Sequence, residues 1–344
     1  MRAVALVLAL VLASTSHTAT AEPTVSTRRR AAAIALAVFP GVLVRGTGSY
    51  LVKDKPTAKR LLVTAGIGAG AMLVGGLASG GTGGNPYFIW PAVPLLVAGM
   101  GLFTQSWLAD IYRAAGVDTG RPRARVPWAI EAGTTLVRDA YRNRALWRGT
   151  VRRTHGRVEL AGTGILHADY QAADVDVIGR ILGAPSSGAV VEDGSWLGVR
   201  ATGRWREDDE DDVRVLTAEI EVMGRLDLDW LSPALHGSFA EVSTGLGLER
   251  ATLADSAHET GGLLLGRFAW GYYLCERGEL KLFYDHRRDS LAGGIAAGRA
   301  AGFVGSAGGA VDLRVWGRWA ARTELEFGSA WVGTLALRFQ GGPP

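Results

Sequence analysis

Between residues 218 and 230 the chain alternates without a break. Ala218, Ile220, Val222, Gly224, Leu226, Leu228 and Trp230 fall on one parity, and Glu219, Glu221, Met223, Arg225, Asp227 and Asp229 on the other. Successive side chains of a β-strand point to opposite faces, so this run lays an apolar and a charged face along one strand; a helix would scatter its charges around every side. The same rhythm returns elsewhere. Leu197, Val199, Ala201, Gly203 and Trp205 oppose Arg200, Thr202, Arg204 and Arg206, and Val311, Leu313, Val315 and Gly317 oppose Asp312, Arg314 and Arg318. Thr323, Leu325 and Phe327 oppose Arg322, Glu324 and Glu326, and Trp331, Gly333, Leu335, Leu337 and Phe339 oppose Thr334, Ala336 and Arg338. Candidate strands fall near 126–138, 144–153, 156–168, 172–182, 195–206, 213–230, 236–250, 261–275, 278–288, 300–318, 320–328 and 330–339, about twelve in all. A strand between lipid and a polar lumen must alternate in this way, and closing the sheet leaves no unpaired backbone edge in lipid. The expected fold is therefore an all-β transmembrane antiparallel barrel over 126–339, followed by a short C-terminal tail over 340–344.

Residues 22–125 follow another rule: Ala, Gly, Leu and Val run together with few charges and no period of two. The stretches from Leu61 to Ser79 and from Tyr87 to Ala109 are uncharged throughout and separated by the turn-forming run Gly80–Pro86. Each is long enough to cross a bilayer as a helix, which predicts an N-terminal α-helical hairpin. A shorter apolar piece, Ala31 to Val44, is broken at Pro40-Gly41. Residues 1–21 read as a cleaved secretory signal, with Arg2 as the positive start, Ala3 to Ala13 as the apolar core and Ala19-Thr20-Ala21 as the cleavage site.

Lys53, Lys55, Lys59 and Arg60 precede the first long apolar stretch, and Arg113, Arg121, Arg123 and Arg125 follow the second. Basic flanks at both ends would hold both in the cytoplasm, where an exported barrel cannot begin. Two arrangements escape this: an extra crossing over 31–52, or a Gly-rich hairpin that passes the inner membrane and reaches the outer one beside the barrel.

Composition fits this picture. The chain has 48 Gly and 11 Trp; Gly relieves crowding in curved sheets, and Trp suits the membrane–water interface. The net charge of +4 is small for 344 residues and the basic residues are dispersed, which argues against nucleic acid as a partner. Cys275 is the single cysteine, so no internal disulfide holds the protein together.

The charges expected on the inner face are Glu219, Glu221, Arg225, Asp227, Asp229, Lys281, Arg314, Arg318, Arg322, Glu324, Glu326 and Arg338. Both signs are present, so they can pair and fill a narrow lumen or line a narrow aqueous path. Glu276-Arg277-Gly278 reads as a tight periplasmic turn and the acidic run Glu207–Asp212 as an outer loop, solvated or collecting divalent cations at the cell surface.

For catalysis, two clusters place a histidine near a nucleophile or an acid: Asp255-Ser256-Ala257-His258-Glu259, and Asp285-His286-Arg287-Arg288-Asp289. A hydrolase would need a serine oxygen within reach of an imidazole that is itself oriented by a carboxylate. Charged loop residues account for both clusters equally well. The spacing of the histidines offers no metal site, and Gly302 to Gly309 lacks the Lys-Ser/Thr ending of a phosphate loop, so no cofactor is expected.

The last run, Trp331 to Phe339, resembles the C-terminal β-signal of Gram-negative outer-membrane barrels, which ends in an aromatic residue; here Gln340-Gly-Gly-Pro-Pro344 follows it. The resemblance implies membrane lipids and the barrel-assembly machinery as partners, and an outer-membrane location. Phe39 to Tyr50, followed by Asp54 and Ala58-Lys-Arg-Leu-Leu62, resembles the entry of small bacterial two-helix membrane modules, where these Gly and Pro residues turn the chain between helices. The expected role is structural, narrow-pore or surface contact. The rivals are a barrel hydrolase acting on lipid or lipopolysaccharide, and an inner-membrane-anchored periplasmic β-domain whose apolar faces would meet in a dry core.

Overall fold

The computed structural model describes residues 25–81, 86–116, 120, 126–139, 142–185, 193–210, 212–252, 258–274, 277–287, 290–292 and 305–341, with the backbone alone for 86–91. The signal segment 1–21, Arg121, Arg123, Arg125, Ser256 and Cys275 lie outside the described residues.

Two compact units result, one of residues 1–119 with 228–236 and one of 120–227 with 237–344. In the first, α1 (Thr27–Val38) starts at Ser26, whose hydroxyl accepts from the Arg29 N–H at 3.4 Å, and gives way at Phe39-Pro40. At 12 residues, or about 18 Å, it is too short to span a bilayer alone. A short turn of helix, α2 (Thr47–Leu51), leads to the hairpin of α3 (Lys55–Gly81) and α4 (Pro86–Ala115), both longer than the apolar stretches because charged and polar residues continue the helices beyond them.

Small residues let the two long helices touch backbone to backbone. A Cβ on Gly75 would stand 2.6 Å from the Leu96 nitrogen, and one on Gly68 would stand 2.7 Å from that of Phe103. Close approach of this kind is how helices associate where lipid competes for every apolar side chain. The opposite flank of α3 leaves Leu62, Val63, Ile67, Leu73, Val74 and Leu77 exposed. Gly75→Leu is therefore expected to force α3 from α4 and make the hairpin sensitive to protease, while leaving the barrel's gel mobility before and after boiling unchanged.

The entry to the hairpin is fastened by a residue far along the chain. Asp110 of α4, fully buried, accepts from the Ser49 N–H and hydroxyl at 2.7 Å each and from the Gly48 N–H at 3.1 Å. Asp54 accepts from the Thr57 N–H at 3.2 Å and pairs with Arg113 at 3.3 Å. Buried Arg45 donates to the Phe103 carbonyl at 3.2 Å and lies 4.0 Å over the Phe103 ring.

The second unit is a closed barrel of twelve strands in which each pairs with its sequence neighbours and the first pairs with the last. They are β1 (Trp128–Arg138), β2 (Asn143–His155), β3 (Val158–Leu166), β4 (Tyr170–Gly183), β5 (Trp196–Asp208) and β6 (Val213–Asp227), then β7 (Ser238–Thr252), β8 (His258–Leu274), β9 (Gly278–Asp285), β10 (Ser306–Trp316), β11 (Trp319–Phe327) and β12 (Trp331–Gly341). All pairs are antiparallel, and closure sets Ile130 opposite Phe339 and Glu131 opposite Arg338.

Apolar side chains cover the outside. Ile220 is 59% exposed, Leu226 39% and Leu335 63%, with Leu246, Leu248, Val175, Val177 and Leu337 exposed on the same surface. Water would reject such a belt and lipid requires it. Cross-strand aromatic pairs bound the belt on β11 and β12: Trp319 with Phe339, ring centres 5.1 Å apart, and Phe327 with Trp331 at 4.5 Å. Eight residues separate the two pairs along either strand, roughly 26 Å, or about 20 Å of membrane depth at a barrel strand's tilt.

Three local features depart from the alternation. Strand β6 ends at Asp227, and Leu228–Trp230 and Pro233–Leu235 are 3-10 turns, the second capped by Ser232. Three residues of 3-10 turn cannot be told from strand by parity alone. Strand β10 ends at Trp316, where Gly317 takes φ +51° and Arg318 completes a two-residue turn. Strand β12 runs two residues beyond Phe339: Gln340 donates to the Arg318 carbonyl at 3.0 Å, and Gly341 must be glycine because the Trp128 indole lies 2.0 Å from where its Cβ would be.

Candidate functional site

The enclosed face of the barrel carries the charges, and the register sets opposite signs side by side. Arg200 of β5 faces Glu221 of β6, Arg225 of β6 faces Glu241 of β7, and Glu131 of β1 faces Arg338 of β12. Like charges opposite one another would repel, so the same alternation that places charges inside also selects this register.

One ladder climbs β4, β5 and β6. Arg200 meets Asp176 at 2.7 Å and Glu221 at 3.4 Å, and Thr202 also donates to Asp176 at 2.7 Å. Two inward positions further along β5, Arg204 meets Asp174 at 2.9 Å and Glu219 at 3.2 Å, and Glu219 also pairs with Arg287 from the connection after β9.

A second cluster lies towards the end of the barrel where β1 begins and β12 ends. Arg225, its side chain 7% exposed, donates to Glu241 at 2.7 Å and Glu279 at 3.0 Å and lies 3.9 Å over the Phe239 ring. Lys281 meets the same two carboxylates at 2.9 and 3.3 Å. Beside them the Tyr273 hydroxyl donates to Asp227 at 2.7 Å. On the opposite wall Arg338 bridges Glu131 at 2.8 Å and Asp312 at 2.5 Å, and Arg322 pairs with Glu324. Glu326 accepts from the Ser306 hydroxyl at 3.3 Å.

Cavities lie among the described residues of the barrel, two of them bordered by these charges. One, about 320 Å³, is lined by Arg152, Arg180, Arg200, Arg225, Arg267 and Arg338, among others. The smaller, about 120 Å³, is lined by Tyr170, Arg204, Arg206, Leu291 and Glu326 among others. Arg204 of the rung with Glu219 and Arg287 itself lines the second cavity, and Arg200, two inward positions back along β5, lines the first. Leu291 and Ala292, from the same connection as Arg287, pack among inward-facing Val137, Leu146, Tyr170, Ala172 and Val332, and Ala330 donates to the Ala292 carbonyl at 3.0 Å. The described part of the β9–β10 connection thus enters the barrel mouth.

Of the charges read from the sequence as inward-facing, Glu219, Glu221, Arg225, Asp227, Lys281, Arg322, Glu324, Glu326 and Arg338 stand in these clusters, and Arg314 is half-buried on the face of β10 that holds Asp312. Two do not. Asp229 lies in the 3-10 turn after β6, with His236 at 3.1 Å, and Arg318 is exposed in the β10–β11 turn. The partners Glu131, Asp174, Asp176, Glu241 and Glu279 were not singled out; Asp174 and Asp176 alternate with Val175 and Val177, a signal of the same kind. The acidic run is also shorter as a loop, because Glu207 and Asp208 belong to β5 and Asp208 meets Arg144 at 2.8 Å.

Of the two histidine clusters, the second reaches the ladder through Arg287, which pairs with Glu219. His258 opens β8 with its Nδ1 3.2 Å from the Thr252 hydroxyl, and His286 follows β9 with its Nδ1 3.1 Å from the Tyr284 hydroxyl. Asp285 accepts from the Arg287 backbone N–H at 3.1 Å. Ser256 lies outside the described residues.

No protein-family model matches the chain, and no curated protein matches it. Among solved structures it is similar to the KdgM porin in complex with disordered oligogalacturonate, at 6% identity and TM-score 0.41 over 62% of this chain and 99% of the porin. It is also similar to the NanC porin, at 7% identity and TM-score 0.37 over 62% of this chain and all of the other, and to Omp33 of Acinetobacter baumannii, at 7% and 0.34 over 64% of this chain and all of the other. At these values no residue role passes from one chain to the other. The assignment to the outer-membrane class of transmembrane β-barrels rests on this chain's own closed sheet, oily belt, aromatic borders and charged lumen.

Proposed function

We propose that this protein is an exported outer-membrane barrel of a Gram-negative cell, released from a signal peptide cleaved after residue 21, whose lumen is a constricted, charge-lined passage kept narrow from within. The observation that carries this reading is the rung of Arg204, Glu219 and Arg287, which ties the β9–β10 connection to the inner wall beside the smaller cavity. Pairs of buried opposite charges are costly to separate, so the rung resists opening, while its polar character leaves a path that water and small solutes can wet once it parts. Membrane lipid and the assembly machinery that inserts barrels are the partners this architecture requires; catalysis has no comparable support.

Single-channel recording in planar bilayers tests it. The wild type is expected to show small, infrequent currents, and the double variant Arg287→Ala, Leu291→Asp, which frees the connection from both its ionic and its apolar seat, is expected to raise unitary conductance several-fold. A silent double variant that is folded by gel mobility would indicate a purely structural barrel, and a wide steady current in the wild type would show that the rung is no constriction.

A further inference from the structure

The two ends of the barrel differ in charge. At the end where β1 begins and β12 ends, the short turns 156–157 and 317–318 hold Arg157 and Arg318, and Arg277 precedes β9, all three exposed. At the other end the described connections hold Asp139, Asp169, Asp209, Glu210 and Asp212 against Arg142 and Arg287. The basic end also has a continuous aromatic rim on neighbouring strands. Trp316 of β10 is 77% exposed and pairs with Trp319 of β11; Phe339 of β12 stacks between Trp319, at 5.1 Å, and Trp128 of β1, at 5.7 Å. Trp128 stands opposite Arg153 of β2, which is exposed on the outer face.

Indole rings of this kind sit at headgroup depth. Arg153, Arg157 and Arg318 are therefore held at the level where lipid phosphates lie. Arg157 is fixed there by donating to the Ile181 carbonyl at 3.0 Å, and Gly156 and Gly317, at φ +54° and +51°, form the tight turns that present Arg157 and Arg318 outward. The acid in the nearest long connection, Asp193, already accepts from the Ser195 N–H at 2.8 Å. His155 and Arg277 are further exposed titratable groups at this end.

We propose that this rim, formed by Arg153, Arg157 and Arg318 against Trp128, Trp316, Trp319 and Phe339, is a contact site for anionic phospholipid headgroups in the leaflet on the side where β1 begins and β12 ends. The guanidinium forks take phosphate oxygens and the rings hold the glycerol level, so the site favours phosphatidylglycerol over a zwitterionic lipid. The acidic turns at the far end give the barrel a direction, because the same leaflet would repel them.

The test uses the full chain, refolded from urea into vesicles of phosphatidylcholine alone or with about 30% phosphatidylglycerol, enough charge to attract basic residues. Folded protein is read from gel mobility before boiling. The wild type is expected to partition into the anionic vesicles about tenfold better at low salt, a gap that closes at high salt. R153Q/R157Q/R318Q is expected to lose the gap while refolding into neutral detergent as the wild type does, whereas R153K/R157K/R318K keeps most of it. No gap in the wild type, or an equal gap in the glutamine variant, overturns the proposal. Should the glutamine variant fail in detergent as well, the wild-type salt dependence and the lysine variant still decide: loss of the gap on Arg→Lys, or a gap that high salt leaves unchanged, overturns it.

Discussion

Replacing Leu246 with arginine is expected to cost the folded protein about 2–4 kcal/mol in a bilayer, the range for a basic residue on the lipid face near mid-membrane. Leu246 is 64% exposed on β7, directly across from Ile220 of β6, itself 59% exposed. In a soluble protein an exposed Leu→Arg change of this kind stays within about half a kcal/mol. The sign and size of the effect therefore report what solvent the outer face meets. Urea unfolding in vesicles measures it, with Glu249→Gln on the same strand as a control near the far end. Because Ile220 and Leu246 are neighbours, the double arginine variant should cost less than the sum of the singles, as two guanidinium groups share one local thinning of the bilayer.

The second large effect is expected inside. Arg225→Ala removes the cation that holds Glu241 and Glu279 and lies over Phe239. Lys281 remains on both carboxylates but cannot neutralise two buried negative charges alone. Breaking one member of such a buried set costs about 3–5 kcal/mol, most of it the uncompensated charge left behind. Unfolding midpoints in urea should fall accordingly, and Arg225→Met combined with Glu241→Gln should recover a substantial part. Equal stability of Arg225→Ala and wild type would mean that water reaches this cluster freely.

Much of the barrel is legible in the sequence because one physical demand, lipid on one side and charge on the other, acts on every residue of every strand. Alternation over 218–227 leaves no other regular structure open, and each predicted strand has its counterpart, although the start of the one predicted over 300–318 lies outside the described residues. The same demand is silent where the chain leaves the wall. Leu228, Asp229 and Trp230 keep the parity of β6 while forming a 3-10 turn, and Arg318 keeps the parity of β10 while turning through Gly317. Ion-pair partners were hidden for a different reason: Arg225 meets Glu279 from three strands away, a meeting fixed by closure and curvature rather than by local pattern.

In the helical unit the hairpin could be read from length and apolarity, but its fastening could not. Asp110 reaches Gly48 and Ser49 across 61 residues or more, and no spacing rule links them. The glycines were visible as composition; that Gly68 and Gly75 are the points of backbone contact emerges only when α3 and α4 are set side by side.

The central claim is that oily side chains share one outer, lipid-facing surface while charges share an enclosed one. Nitroxide labels placed singly at positions 332 to 338 of β12, in a Cys275→Ser background and reconstituted in vesicles, test it by their accessibility to oxygen dissolved in the bilayer. The account predicts a strict period of two, with 333, 335 and 337 accessible and 332, 334, 336 and 338 shielded. Uniform shielding, or the opposite parity, would contradict it.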